Sequence, residues 1–266
     1  MAEHGLFEAA KSGSGSGRGG YDFVEVDMAR AEHKRGGRYS SPNQKLPMVV
    51  LPDGVTFIAE SVAICRYVEE SAQLQPPRED GRKTDAAPTP MLFGEGPTQR
   101  AVVEMWQRRV ELELLQGAVG KAWVHGPVLK SLRERRGLEG HESELQLGLA
   151  AAQALYRELD RELATRAYVA GDAFSIADIT LLCVMDFAAG PVRVPTRWTE
   201  LPHLTEWHRR ISARPSALAH PNPHITVAKP GGDGGGGTLA AVQERYYATP
   251  FKGNRVWRPN KSNSKL

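Results

Sequence analysis

Within 26 residues, "KLPMVVLPDGVTFIAESVAICRYVEE" (Lys45–Glu70) switches its hydrophobic period from that of strands to that of a helix. No other stretch constrains the fold as much. "MVVL" and "VTFIA" are rich in β-branched and aromatic residues, and Pro52-Asp53-Gly54 between them forms a hairpin turn with glycine at positive φ. From Ser61 onward, Val62, Ile64, Cys65 and Val68 share one helical face. Glu60 and Ser61 open that helix. Serine is a favoured N-cap, and free N–H groups at the positive end of the helix dipole bind carboxylates. The alternative is an ordinary cap with nothing bound.

Leu46-Pro47 precedes the first strand, where a proline that cannot donate to the ladder belongs at an edge or in a special loop. A cis bond there would present the Leu46 N–H and C=O to an extended peptide ligand. Only about 5% of X-Pro bonds are cis, so the sequence alone does not support that reading.

The rest of the chain is organised differently. "MAEHGLFEAAKSGSGSGRGG" (1–20) ends in a flexible Gly/Ser tract. "YDFVEVDM" (21–28) alternates like a strand, and the polar stretch after it allows a short helix and a loop. Ser71–Pro97 is rich in proline and charge, and residues 76–97 read as an interdomain linker. Residues 98–217 hold four helical patterns, the first with a bend expected near Gly117 and Gly120. At the start of the third, Ser175-Ile176-Ala177-Asp178 has the S-x-x-D form of a capping box, with Phe174 and Ile179 placed as a hydrophobic staple. That is a folding device rather than a catalytic one.

Charge and cysteine usage exclude several classes. The net charge of +3 conceals a divided chain: residues 218–266 carry seven basic and two acidic residues, which leaves −2 for residues 1–217. The two cysteines, Cys65 and Cys183, lie in apolar helical patterns and are expected to be buried. Neither a disulfide framework, a metal site nor a resident cofactor is expected, and a reducing, cytoplasmic setting fits. No apolar run is long enough to span a membrane.

Together, "SPNQKLPMVVLPDGVTFIAESVAICRYVEE", "FGEGPTQRAVVEMWQRRVELEL" and "YVAGDAFSIADITLLCVMDFA" resemble the cytosolic glutathione transferase family over about Tyr21–Ala217. Ser41-Pro42 stands where that family has Asn-Pro, Gln44 where it usually has Gly, and Leu46-Pro47 where it has Val-Pro. The resemblance implies an α+β thioredoxin-like domain (21–75), incomplete at its N-terminus, followed by an all-α helical bundle. It implies conjugation of glutathione to hydrophobic electrophiles, with glutathione as cosubstrate, and a homodimer. An exposed Met91-Leu92-Phe93 stretch would be a weak hint of that dimer. Ser61 and Glu60 would hold the γ-glutamyl end and the Leu46 backbone, set by Pro47, would pair with the cysteinyl unit. Lys45 would meet the glycyl carboxylate, unless it is a solvated loop charge.

The family's first strand and its catalytic Tyr, Ser or Cys loop have no counterpart before Tyr21, so an incomplete gene product is the favoured expectation. His125, Arg108 and Arg109 are substitutes for sulfur activation, with His125 first. Trp106, Met105 and Trp123 are candidates for lining an apolar pocket. The rival readings are a non-catalytic interaction module and a nucleic-acid-associated protein acting through residues 218–266. That tail interleaves aromatics with Arg and Lys, but basic tails without such a role are commoner, and nucleic acid is not among the expected partners.

Overall fold

The computed structural model describes residues 26–27, 30–34, 43–73, 91–194 and 198–219. The Gly/Ser tract, residues 76–90 of the expected linker and the basic tail from residue 220 lie outside them; residues 91–97, expected as linker, are described, and Gly96 and Pro97 already belong to the first helix of the second unit. The strand expected over 21–28 also lies outside them, except Val26 and Asp27, which belong to no strand. The chain divides into two compact units, Met1–Thr89 and Pro90–Leu266.

In the first unit, β1 (Met48–Val50) pairs antiparallel with β2 (Phe57–Ala59) in the register Met48↔Ala59, Val49↔Ile58, Val50↔Phe57. The turn forms as its residues dictate. Gly54 has φ 73° and its N–H donates to Leu51 O at 2.9 Å. Asp53 accepts from the Thr56 hydroxyl and from the Val55 and Thr56 amides, which hold its carboxyl below the usual carboxylate range. Helix α1 (Ser61–Gln73) follows at once and packs on both strands. Cys65 on α1 is exposed, contrary to the expectation of burial, because α1 covers only a two-stranded sheet among the described residues. Partial desolvation pushes its thiol pKa up.

Upstream of β1, Gln44 sits at φ 56°, in the left-handed region. This explains why the resembled family prefers glycine there: a Cβ in that conformation costs about 1–2 kcal/mol. Lys34 Nζ donates to Gln44 O at 3.1 Å, a backbone contact that any residue keeps. Gln44→Gly therefore raises stability by about 0.5–1 kcal/mol after the greater entropy of glycine in the unfolded chain is subtracted. An unchanged or lowered urea midpoint would count against the strain.

The second unit is helical: α2 (Gly96–Arg109), α3 (Gly120–His125), α4 (Lys130–Arg135), α5 (Glu142–Leu163), α6 (Ile176–Phe187), α7 (Pro202–Ser212) and α8 (Pro215–Ala219). Between α2 and α3 the helix does not simply bend but widens to π winding over Val110–Val119. A Cβ on Gly117 or Gly120 would stand 3.0 or 3.1 Å from the Leu112 or Leu115 carbonyl oxygen. The apolar periodicity of α5 turns Ala152, Leu155, Tyr156, Leu159 and Leu163 inward against Leu114, Ala118 and Val119 of the widened segment, within one contiguous core. Met91-Leu92-Phe93 is not exposed as expected. Phe93 is 5% accessible, and Leu92 O accepts the Ile176 N–H at 2.9 Å, so the stretch is tied to the start of α6. Its weak hint of a dimer is lost. Cys183, on α6, is exposed rather than buried, because Leu181, Val184 and Met185 form the inward face.

A connection that shows no periodicity in the sequence joins α3 to α5. It contains a 3-10 turn (Pro127–Leu129) and α4. The Arg133 guanidinium donates to Gly126 O at 2.9 Å and to Val124 O, capping the C-terminal carbonyls of α3. Gly140 makes room for it, since a Cβ there would lie 2.7 Å from Arg133 Nη2. No described helix is long and apolar enough to cross a membrane.

Candidate functional site

The hairpin register determines what meets at the end of the sheet. Met48 faces Ala59, so Leu46-Pro47 on one strand and Glu60-Ser61 on the other continue past the same end of the ladder. The Leu46-Pro47 bond is cis. Among the described residues the Leu46 backbone N–H and C=O take no partner, which leaves both open to an extended ligand. Just before them, the Lys45 N–H donates to Asn43 Oδ1 at 3.1 Å and holds the loop in an Asx turn. The Lys45 side chain is exposed.

Glu60 has φ 70°, a left-handed conformation that costs a residue with a Cβ about 1–3 kcal/mol and accumulates at functional sites. Its carbonyl accepts the Ile64 N–H at 3.0 Å, the first bond of α1. Glu60 therefore holds the cap position and Ser61 is the first residue inside the helix, a correction to Ser61 as the cap. The physical reason is the backbone reversal at Glu60, which starts the helix one residue early. The Ser61 hydroxyl caps nothing, and the N–H groups of the first turn lack intrahelical acceptors, as at any helix start.

One neighbouring group carries no periodic signal in the sequence. His33 is 5% accessible and its Nδ1 has no partner among the described residues. Next to it, Lys34 reaches the Gln44 carbonyl, tying this turn to the loop before Pro47. A polar "EHK" inside a loop reads as solvated; only the tertiary fold buries the imidazole.

The other candidates lie in the helical unit. His125 ends α3, half-buried, and its Nδ1 accepts the His141 N–H at 3.2 Å. A neutral imidazole with Nδ1 so used carries its proton on Nε2, as a donor. Arg108 pairs with Glu111, and Arg109 makes a fork with Glu158 at 2.7 and 3.0 Å while bonding Glu113 and stacking on Trp106. Those carboxylates raise the Arg109 pKa still further and neutralise its field. Neither arginine is a free positive charge for a thiolate. Trp106, 3% accessible, belongs to the core, and Trp123 packs on Phe187 with ring centroids 5.3 Å apart. Met105 is 48% exposed.

The predicted capping box is present at α6 and extends further than the motif implies. Asp178, fully buried, accepts from the Val169 N–H at 3.0 Å and Trp207 Nε1 at 2.9 Å through Oδ1. Its Oδ2 takes the Ser175 N–H at 3.0 Å and hydroxyl at 3.1 Å. Burial raises its pKa, and these four donors oppose the rise. Phe174, expected as half of a staple, meets Tyr168 and the Arg214 guanidinium. Among the described residues no three His, Cys, Asp or Glu side chains converge as a metal site.

Comparison with known proteins agrees with this layout. The family profile of the glutathione S-transferase C-terminal domain matches residues 122–215. Glutathione S-transferase 2 of Saccharomyces cerevisiae is 33% identical over 203 residues, covering 73% of this chain and 75% of that protein. Glutathione S-transferase F9 of Arabidopsis thaliana is 28% identical over 203 residues, covering 74% and 82%. The crystal structure of Gtt2 from Saccharomyces cerevisiae superposes with a TM-score of 0.57 at 31% identity, covering 74% of this chain and 86% of that one. A thioredoxin-like hairpin and helix followed by an all-helical unit, with this similarity running through both, make the chain a member of the glutathione S-transferase family.

Proposed function

We propose that this chain binds glutathione at the end of its hairpin and conjugates the thiolate to a hydrophobic electrophile. The observation that carries the reading is the convergence of an unpartnered Leu46 backbone before cis-Pro47 with left-handed Glu60 and the uncommitted hydroxyl of Ser61. Residues 21–75 would form the glutathione-binding domain, 76–97 the linker and 98–217 the helical domain. Leu46 adds the cysteinyl unit as a short strand, Ser61 and the first turn of α1 take the γ-glutamyl carboxylate, Glu60 meets the ammonium, and Lys45 takes the glycyl carboxylate. In the reaction the thiol proton leaves to a base, the sulfur forms the new S–C bond, and the electrophile's leaving group departs or its double bond takes the electron pair. The protein's share is lowering the thiol pKa and proximity. Cytoplasmic detoxification by a homodimer completes the reading.

Ser61→Ala tests it. The variant binds glutathione about tenfold more weakly, the value of a hydrogen bond to a charged group. Its stability changes by less than about 0.5 kcal/mol, because this hydroxyl caps no helix. Unchanged affinity by calorimetry would sink the site. For sulfur activation, His125 remains the position to test. His125→Ala assigns it if kcat with an activated chloronitrobenzene falls while glutathione affinity holds. Glutathione binding without conjugation in the wild-type chain favours a binding module over an enzyme.

A further inference from the structure

Two guanidiniums in the helical unit are held by aromatic rings rather than by carboxylates. Arg210, exposed near the end of α7, lies over the Tyr168 ring, 4.7 Å from its centroid, and donates to Ala167 O. Arg214, half-buried just before α8, lies 3.7 Å from the centroid of the Phe174 ring. The two rings meet edge to face at 5.9 Å, which draws both cations into one cluster. Arg209 is paired with Glu206 and Arg166 with Glu162, so neither of those carboxylates is spare. Asp172, exposed on the turn between the two rings, forms no ion pair with Arg210 or Arg214. Arg214 Nε is buried and has no acceptor among the described residues. A ring orients a guanidinium without neutralising it, so the cluster keeps two positive charges.

Both rings are fixed by the Asp178 network. Tyr168 exchanges backbone hydrogen bonds with Gly171 at 2.8 and 3.1 Å, and the amide of Val169, the next residue, donates to Asp178. Phe174 directly precedes Ser175, whose amide and hydroxyl donate to the same carboxylate. The guanidiniums are therefore oriented by the fold itself, and a pre-organised fork loses little freedom on binding. Its planar geometry matches oxygen anions. A carboxylate carries one charge and would leave one of the two cations unbalanced. A phosphomonoester carries close to two negative charges and three strong acceptor oxygens, enough to meet both forks.

We propose that Arg210 and Arg214 bind the dianionic phosphate of a phosphomonoester, independently of glutathione. A soluble phosphorylated metabolite and the headgroup of a phosphomonoester lipid share this chemistry, and the two sources are told apart by experiment. Each arginine contributes about tenfold or more to affinity, the value of a hydrogen bond to a charged group.

The test uses the full chain and inorganic phosphate, titrated at constant ionic strength and followed by phosphorus NMR. The wild type binds phosphate and binds dimethyl phosphate, a monoanion, at least tenfold more weakly. Arg214→Gln weakens phosphate binding about tenfold or more, and the Arg210→Gln, Arg214→Gln double variant about a hundredfold. Arg214→Lys keeps the charge but not the fork, so its affinity falls between wild type and Arg214→Gln. Melting curves establish that the variants are folded, and the lysine variant keeps the test decisive should the glutamine variants unfold. Vesicles of phosphatidic acid, with phosphatidylcholine vesicles as the control, identify the source. Retention on phosphatidic acid that the double variant loses supports the site with a lipid ligand, and phosphate binding without retention supports it with a soluble one. Absence of phosphate binding at about 20 mM overturns the proposal. So does wild-type affinity in the double variant, or dimethyl phosphate binding as tightly as phosphate. None of these outcomes bears on Ser61 or glutathione.

Discussion

Asp178→Ala lowers the unfolding free energy of the helical unit by about 3–5 kcal/mol. The carboxylate is inaccessible and ties three parts of the unit together: the Tyr168–Gly171 turn through Val169, the start of α6 through Ser175, and α7 through Trp207. Alanine leaves the Val169 and Ser175 amides and the Trp207 indole N–H without acceptors. A buried donor left unpaired costs about 1–3 kcal/mol. The separate costs do not simply add, because the turn can relax and admit water, and the lost N-terminal box contributes about 1 kcal/mol of the total. Asp178→Asn keeps one oxygen for Val169 and Trp207 but turns an amide NH2 toward the Ser175 donors, so it costs less than Ala and more than a surface change. Urea unfolding followed by tryptophan fluorescence reads both. A penalty below about 1 kcal/mol for Asp178→Ala would show that the network is incidental to stability.

Gly148→Val costs about 3 kcal/mol, for a reason of space rather than hydrogen bonding. Gly148 lies on α5 where it crosses the widened helix. A Cβ built there would stand 2.7 Å from Ala118 O, 2.8 Å from Lys121 Cβ and 3.2 Å from the Ala122 amide nitrogen. Two of those three are backbone atoms that cannot turn aside. The helices must separate, which loosens Ala118, Val119 and Ala152 in the core, and overpacking of this kind costs about 1–3 kcal/mol or more. Valine makes the crowding worse than alanine through its branched Cβ. Glycine inside a helix normally costs up to about 1 kcal/mol relative to alanine, so an exposed Gly in α5 would gain from substitution. The sign of the change, read from thermal melts, is therefore the test. A variant at least as stable as the wild type would contradict the close crossing.

Patterns local in sequence are legible without the tertiary fold. The hairpin could be placed from β-branched runs on either side of Pro52-Asp53-Gly54, because a turn is decided by the φ preferences of three or four residues. The same holds for α1, α5 and α6, whose apolar positions recur at helical spacing, and for Ser175–Asp178, whose box closes within one turn. Burial and helix winding that depend on distant partners are not legible in the same way. Met91-Leu92-Phe93 reads as an exposed apolar stretch until Leu92 is found to accept from Ile176, 84 positions along the chain by their numbers. Cys65 shares an apolar pattern with half-buried neighbours and Cys183 one with buried neighbours, yet both turn outward, since periodicity identifies a face only to within one residue. Nothing in "VELELLQGAV" announces π winding, which lets each turn hold an extra residue against α5.

By itself, the sequence determined the order of the units, the hairpin-to-helix switch that defines the first, the capping box that starts α6, and the basic, aromatic character of the tail. Each follows from residues a few positions apart, where propensity and pattern act directly. Tertiary structure alone decided the rest. It set the cis geometry before β1, the left-handed backbone of Glu60 that moved the cap off Ser61, and the burial of His33. It also joined Asp178 to Trp207 and left Arg210 and Arg214 stacked on rings instead of paired with carboxylates. Those outcomes balance local strain and desolvation against contacts between segments remote in sequence, and no window of neighbouring residues contains both sides of that balance.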